Sequence, residues 1–123
     1  MFEIYISIDG DDIGKKITSY YLSNNVKKLQ QISNDLKDST KDIAQYLANS
    51  GFTIIFCAAD GVVASIENGI NFDFTFQSID NLSPKDITFS MGVGNSLSEA
   101  YIALLAAKSN GKNCIYDYKE VGI

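Results

Sequence analysis

The feature that most constrains this chain is a change of period next to its start. Ile4, Tyr5, Ile6, Ser7 and Ile8 form an alternating apolar run that stops at Asp9-Gly10-Asp11-Asp12-Ile13-Gly14, and a helical pattern follows at once. β-branched and aromatic residues with a period of two predict a strand. Three carboxylates at the exit of that strand would stand at the mouth of a sheet, where α/β folds hold their ligands. Enclosed acids repel one another unless a cation or a shared proton neutralises them, so the cluster points to a metal site.

The rest of the chain alternates between the two periods. Ile17, Tyr20 and Tyr21 keep helical spacing until Ser23-Asn24-Asn25 interrupts it. Val26, Leu29, Ile32 and Leu36 then mark the face of a second helix, which Ile43, Tyr46 and Leu47 continue to Gly51, a residue suited to a left-handed helix stop. Phe52 to Cys57 is apolar enough for a fully buried strand, Ala58-Ala59-Asp60-Gly61 is a turn, and Val62 to Ile66 is a second strand, giving a hairpin with an acid at its tip. Phe72, Phe76 and Ile79 predict a helix that ends by Pro84, and Ile87 to Val93 predicts a strand. Ser96 to Glu99 has the form of a capping box ahead of an apolar helix, Ala100 to Lys108, closed by Asn110-Gly111, and a last strand runs from about Asn113 to Tyr118.

The predicted order is therefore β-α-α-β-β-α-β-α-β, an α+β two-layer fold of the ferredoxin-like kind with a mainly antiparallel sheet. In that topology the first strand lies beside the central hairpin, which would bring Asp9 near Asp60. With 123 residues and 46% apolar content, the chain is expected to form one domain, 1–123, with a single core. Cys57 and Cys114 each lie within an apolar run and no histidine is present, which excludes the usual zinc ligand sets and predicts two reduced core thiols. No basic, apolar leader and no membrane-length apolar stretch is visible, so a cytoplasmic location is expected. A net charge of −5 argues against direct DNA or RNA binding and requires any polyanionic substrate to arrive with a cation.

Asp9 and Asp60 are the candidate catalytic and metal-binding acids, with the Gly10 carbonyl as a further ligand. Magnesium prefers oxygen ligands and retains waters, so two or three carboxylates and substrate phosphates suffice to hold it. Asp11 is a further candidate ligand; either it or Asp12 would alternatively cap the following helix. The amides that open the helix, from Gly10 through Asp11, Asp12 and Ile13 to Gly14, form a positive end suited to a triphosphate. Lys108 and Lys112 flank Asn110-Gly111, where by themselves they read as cations balancing a helix terminus.

With these passages in view, the chain resembles the palm-type nucleotide cyclases, which include GGDEF diguanylate cyclases and the polymerase palm of type III CRISPR effectors. It is most similar to the minimal CRISPR polymerases, which are stand-alone palms. Ile8-Asp9-Gly10-Asp11-Asp12-Ile13-Gly14 resembles the Asp-Gly-Asp-x-x-Gly of the CRISPR palms, and Ser90-Met91-Gly92-Val93 resembles the Ser-Ile-Gly-Val strand of GGDEF domains. The segment from Ala100 to Asn113 is similar to their Ala-x-x-Ala-Leu-x-x-Ala-Lys-x-x-Gly-Lys/Arg-Asn passage.

The resemblance implies a nucleotidyltransferase dependent on magnesium or manganese that makes a cyclic di- or oligonucleotide from ATP or other nucleoside triphosphates, in antiphage defence. It assigns the metals to Asp9, Asp60 and Gly10 and the triphosphate to Lys108 and Lys112. One triphosphate site per palm implies a homodimer. The hairpin departs from the pattern: Ala58-Ala59-Asp60-Gly61 replaces two glycines by alanines and the acid after Asp60 by glycine. Asp11 or Asp12 would then substitute for the missing acid, or the site would run on a weaker metal set. Alternatively the domain is a catalytically silent palm that senses a nucleotide, or a ferredoxin-like interaction module with a solvated acidic turn. Base choice would lie around Asn24, Asn25 and the first helix.

Overall fold

The computed structural model describes residues 3–121. Its elements are β1 (Ile4–Gly10), α1 (Ile13–Leu22), α2 (Val26–Asn49), β2 (Thr53–Ala58), β3 (Gly61–Ile66), α3 (Phe72–Leu82), β4 (Phe89–Gly94), α4 (Leu97–Ser109) and β5 (Ile115–Asp117), followed by a 3-10 turn at Tyr118–Glu120. The order matches the alternation of periods in the sequence. The five strands form one sheet in the order β2-β3-β1-β4-β5, antiparallel except where β4 runs parallel to β5. β1 is the central strand.

The two sheet faces are covered unequally. Ile6, Ile8, Val62, Ala64, Phe89, Met91 and Val93 project to one face and form the main core with Ile13 of α1, Ile32, Leu36, Ile43 and Leu47 of α2, and Ile79 of α3. Burying such side chains contributes about 1.5–3 kcal/mol each. On the opposite face lie Ser7, Ser90, Gly92 and Gly94, and α4 packs there over β1, β4 and β5. A Cβ at Gly92 would overlap the backbone of Ala100 and Leu104, so the close seating of α4 requires glycine there. Ala100, Ala103 and Ala107 are fully buried along the contact. Because α4 returns antiparallel to β4, its carboxyl end arrives above Phe89 and Ser90, the residues paired with Gly10 and Asp9. Lys108 is thereby delivered to the end of β1.

Several expectations are corrected. β2 is not a buried strand: it is the sheet edge, and Ile55 and Phe56 are 46% and 55% exposed. An apolar run reads alike at a sheet's centre and at its edge, and only strand order separates the two. Cys57, on that edge, is exposed, and Cys114 is half-buried, so neither is a core thiol. β5 is shorter than Asn113 to Tyr118, because Lys112 and Asn113 adopt positive φ and cannot extend the strand. Ser96 accepts from the Glu99 amide, but the Glu99 carboxylate accepts from Asn95 rather than from Ser96, so the capping box closes one residue early. Asp12 occupies the cap position of α1 in the left-handed region without a side-chain cap bond.

Candidate active site

β1 continues through Asp9 and Gly10, which pair with Ser90 and Phe89 of β4 on one side, while Asp9 pairs with Gly61 of β3 on the other. Immediately beyond, the Gly10 amide donates to the Asp60 carbonyl and the Asp11 amide to the Thr88 carbonyl, each at 2.9 Å. The first bond ties the hairpin tip to the acidic turn, so that Asp9 and Asp60 share one corner of the sheet. A Cβ on Gly10 would stand 2.9 Å from Ile13 Cγ1 and 3.4 Å from Asp60 Cβ, which explains the glycine. Burial, reinforced by the negative charge of Asp60, raises the Asp9 pKa against the opposing pull of Lys108.

Lys108 closes this corner from above. Its ammonium donates to the Gly10 carbonyl at 2.7 Å and pairs with Asp9 Oδ2 at 3.2 Å and Asp11 Oδ1 at 3.1 Å. One cation thus already sits among a strand-end carbonyl and two carboxylates. Among the described residues no cluster of three or more His, Cys, Asp or Glu forms a metal site. A divalent ion held by Asp9, Asp60 and the Gly10 oxygen would complete its shell with water and phosphate oxygens, as magnesium does.

Asp11 differs from its neighbours. Its side chain is 3% exposed, and each oxygen accepts two donors: Ser90 Oγ at 2.7 Å and Lys108 on Oδ1, Thr88 Oγ1 at 2.7 Å and the Asn113 amide at 2.9 Å on Oδ2. Burial alone would raise its pKa, but the hydrogen bonds from Thr88, Ser90, Asn113 and Lys108 outweigh that and lower it. Three of these donors, Ser90, Thr88 and the Asn113 amide, are held in place by the fold, and Lys108 takes the remaining lone-pair position. Asp11, expected as a substitute ligand, is hydrogen-bonded to three residues of the fold and paired with Lys108. Thr88, Ser90 and Asn113 were not among the expected site residues; only the recurrence of Ser90 and Asn113 in the quoted family passages signalled them.

Asp12 is ion-paired with Lys112 across the turn, and the Lys112 hydrogen bond lowers its pKa. Beside the corner lies a cleft of about 950 Å³ between α1, α2 and β2, running to Ala58, Ala59 and Asp60. Its volume falls within the usual range of ligand sites. Ile13, Ile17, Ile32 and Leu36 give it an apolar lining, with Lys37, Lys41 and Gln45 among its polar residues. Asn24 and Asn25 do not line it: Asn25 instead caps α2 by accepting from the Lys28 amide. Gly14 lies off this cleft, in a shallow depression with Lys15 and Thr18.

Residues 5–118 match the mCpol family, the minimal CRISPR polymerase domain. The chain belongs to this family. Solved structures with the same fold are GGDEF domains. That of DgcB from Caulobacter crescentus, in complex with c-di-GMP, is 13% identical, with 97% of this chain and 80% of that one covered and a TM-score of 0.67. The active GGEEF domain of a diguanylate cyclase from Vibrio cholerae is 15% identical over 94% of this chain and 82% of its own, with a TM-score of 0.63. No curated protein matches significantly. The chain thus has a GGDEF-like palm fold, and no helix among its described residues is long and apolar enough to cross a membrane.

Proposed function

We propose that this minimal CRISPR polymerase is a magnesium- or manganese-dependent nucleotidyltransferase that joins nucleoside triphosphates, ATP foremost, into a cyclic di- or oligonucleotide signal in antiphage defence. The observation that carries this reading is the convergence of the Gly10 carbonyl and the Asp9 carboxylate on one cation, the Lys108 ammonium, beside Asp60 and a nucleotide-sized cleft. Asp9, Asp60 and the Gly10 oxygen would hold the metal, which when bound neutralises charge on the phosphates and activates the attacking hydroxyl. Lys108 and Lys112 bind the triphosphate, and the cleft seats the nucleoside. A ribose hydroxyl of one nucleotide forms a P–O bond to the α-phosphorus of another as the α–β bridging bond breaks. Pyrophosphate leaves and the hydroxyl proton passes to solvent. Each chain holds one such corner, so cyclisation brings two chains face to face.

Incubation with α-labelled ATP and magnesium or manganese tests the reading. Labelled cyclic product is expected, and Asp9→Asn and Asp60→Asn should each lower the rate at least about a hundredfold, near 2.7 kcal/mol. Nucleotide binding without product under either metal would favour a second reading, a silent nucleotide sensor. That reading draws on the hairpin tip, where Ala59 stands at φ 54 and Gly61 offers no carboxylate.

A further inference from the structure

We propose that Asp11 is a positioning residue: it fixes the left-handed turn Gly111-Lys112-Asn113 and so sets Lys108 and Lys112 for a triphosphate. The lysines' role rests on the function proposed above; the hold of Asp11 on the turn does not. Gly111, Lys112 and Asn113 have φ values of 107, 63 and 48, three successive residues in a region that side chains disfavour. Such a run persists only where its surroundings over-determine it. Among the described residues, the side chains that accept from the Asn113 amide are Asp11 Oδ2 at 2.9 Å and Ser90 Oγ at 3.0 Å, and Ser90 itself donates to Asp11. The other Asp11 oxygen receives Lys108, so one buried carboxylate anchors both ends of the segment that carries the two lysines.

The chemistry requires the carboxylate itself. An asparagine offers one oxygen and one NH2 group. Either orientation would turn that NH2 toward a partner that only donates, the Lys108 ammonium on the Oδ1 side or the Asn113 amide on the Oδ2 side. The charged Lys108 keeps the oxygen and the NH2 turns to the Asn113 side, so Asp11→Asn removes the anchor on the turn with little change of volume.

The experiment compares the whole wild-type chain, Asp11→Asn and the milder Thr88→Val. Amide hydrogen exchange at Asn113 is expected to quicken in Asp11→Asn at least about tenfold more than that of the β1 amides of Ile6 and Ile8, and by less in Thr88→Val. Affinity for inorganic tripolyphosphate with Mn2+ should fall at least about tenfold in Asp11→Asn, and affinity for Mn2+ alone should stay within about threefold, because charge-assisted anchors are lost but no metal ligand is. Equal loss of Mn2+ alone would make Asp11 a metal ligand and overturn the proposal. Unchanged Asn113 exchange would overturn the hold on the turn, and faster exchange with undiminished tripolyphosphate affinity would overturn the positioning of the lysines. Failure of the wild-type chain to bind tripolyphosphate would instead overturn the triphosphate reading, while the exchange result would still decide the hold on the turn.

Discussion

The Lys108 ammonium donates to the Gly10 carbonyl at 2.7 Å across 98 residues of sequence, with the Asp9 carboxylate 3.2 Å away. A side-chain cation thus neutralises the oxygens proposed to hold a metal. Opposite charges at such distances interact by several kcal/mol in a partly buried setting, so a metal must displace or accommodate Lys108. A triphosphate offers that lysine another partner, which would couple metal entry to nucleotide entry.

Lys108→Met is therefore expected to act in opposite directions on two measurements. Mn2+ binding without nucleotide, followed by calorimetry, should tighten by about three- to tenfold because the competing charge is gone. Nucleotidyl transfer should fall at least about a hundredfold, the usual cost of removing a charge aimed at a transition state. Weaker Mn2+ binding in the variant would show that Lys108 supports the metal rather than substituting for it.

The hairpin tip makes a separate prediction. Ala59 occupies the first position of a two-residue turn at φ 54, where an L side chain costs roughly 1–2 kcal/mol and glycine does not. Glycine loses about 0.5–1 kcal/mol more in chain entropy, so Ala59→Gly should stabilise the fold by up to about 1.5 kcal/mol. Denaturant unfolding measures this directly. Destabilisation by 1 kcal/mol or more would mean that the alanine methyl makes a contact the turn depends on.

Much of this architecture is readable from periodicity, and the exceptions share a cause. The strand, acidic turn and helix at the start follow from a change of period within ten residues, and the nearness of Asp9 to Asp60 follows from element order. The exposure of β2 does not, because Ile54, Ile55 and Phe56 look the same whether one neighbouring strand or two lie beside them. The saturation of Asp11 is equally hidden, since its partners Thr88, Ser90 and Asn113 lie 77, 79 and 102 residues away. Local sequence reports which groups need partners; only the folded chain reports which partners they find.

Asp9 and Asp11 should impose opposite pH dependences on the metal-free fold. Asp11 titrates below the ordinary aspartate value of 3.8, so its stabilisation is complete above that pH and is lost as pH falls through its folded-state pKa. Asp9 titrates above 3.8; its folded state holds the proton more tightly, and the benefit present at lower pH is lost as pH rises through the folded-state pKa. With a chelator present, Asp11→Asn should lower stability at neutral pH and flatten the acid limb below pH 3.8. Asp9→Asn should raise stability at neutral pH. A destabilised Asp9→Asn protein would show that its pairing with Lys108 outweighs burial and the repulsion from Asp60.

The two thiols should separate chemically. Burial, with the negative charge of Asp11 added, raises the Cys114 pKa, whereas Cys57 is exposed on β2 and borders the cleft. Alkylation proceeds through the thiolate and requires access, so iodoacetamide at mildly alkaline pH should modify Cys57 well before Cys114. A nucleotide seated in the cleft would cover Cys57 without touching Cys114, whose thiol donates to the Ala107 carbonyl. Addition of ATP with magnesium should therefore slow labelling of Cys57 and leave Cys114 unchanged, as read by mass spectrometry of the labelled peptides. Undiminished labelling of Cys57 at saturating nucleotide would place the nucleoside outside this cleft and move the substrate to another wall of the acidic corner.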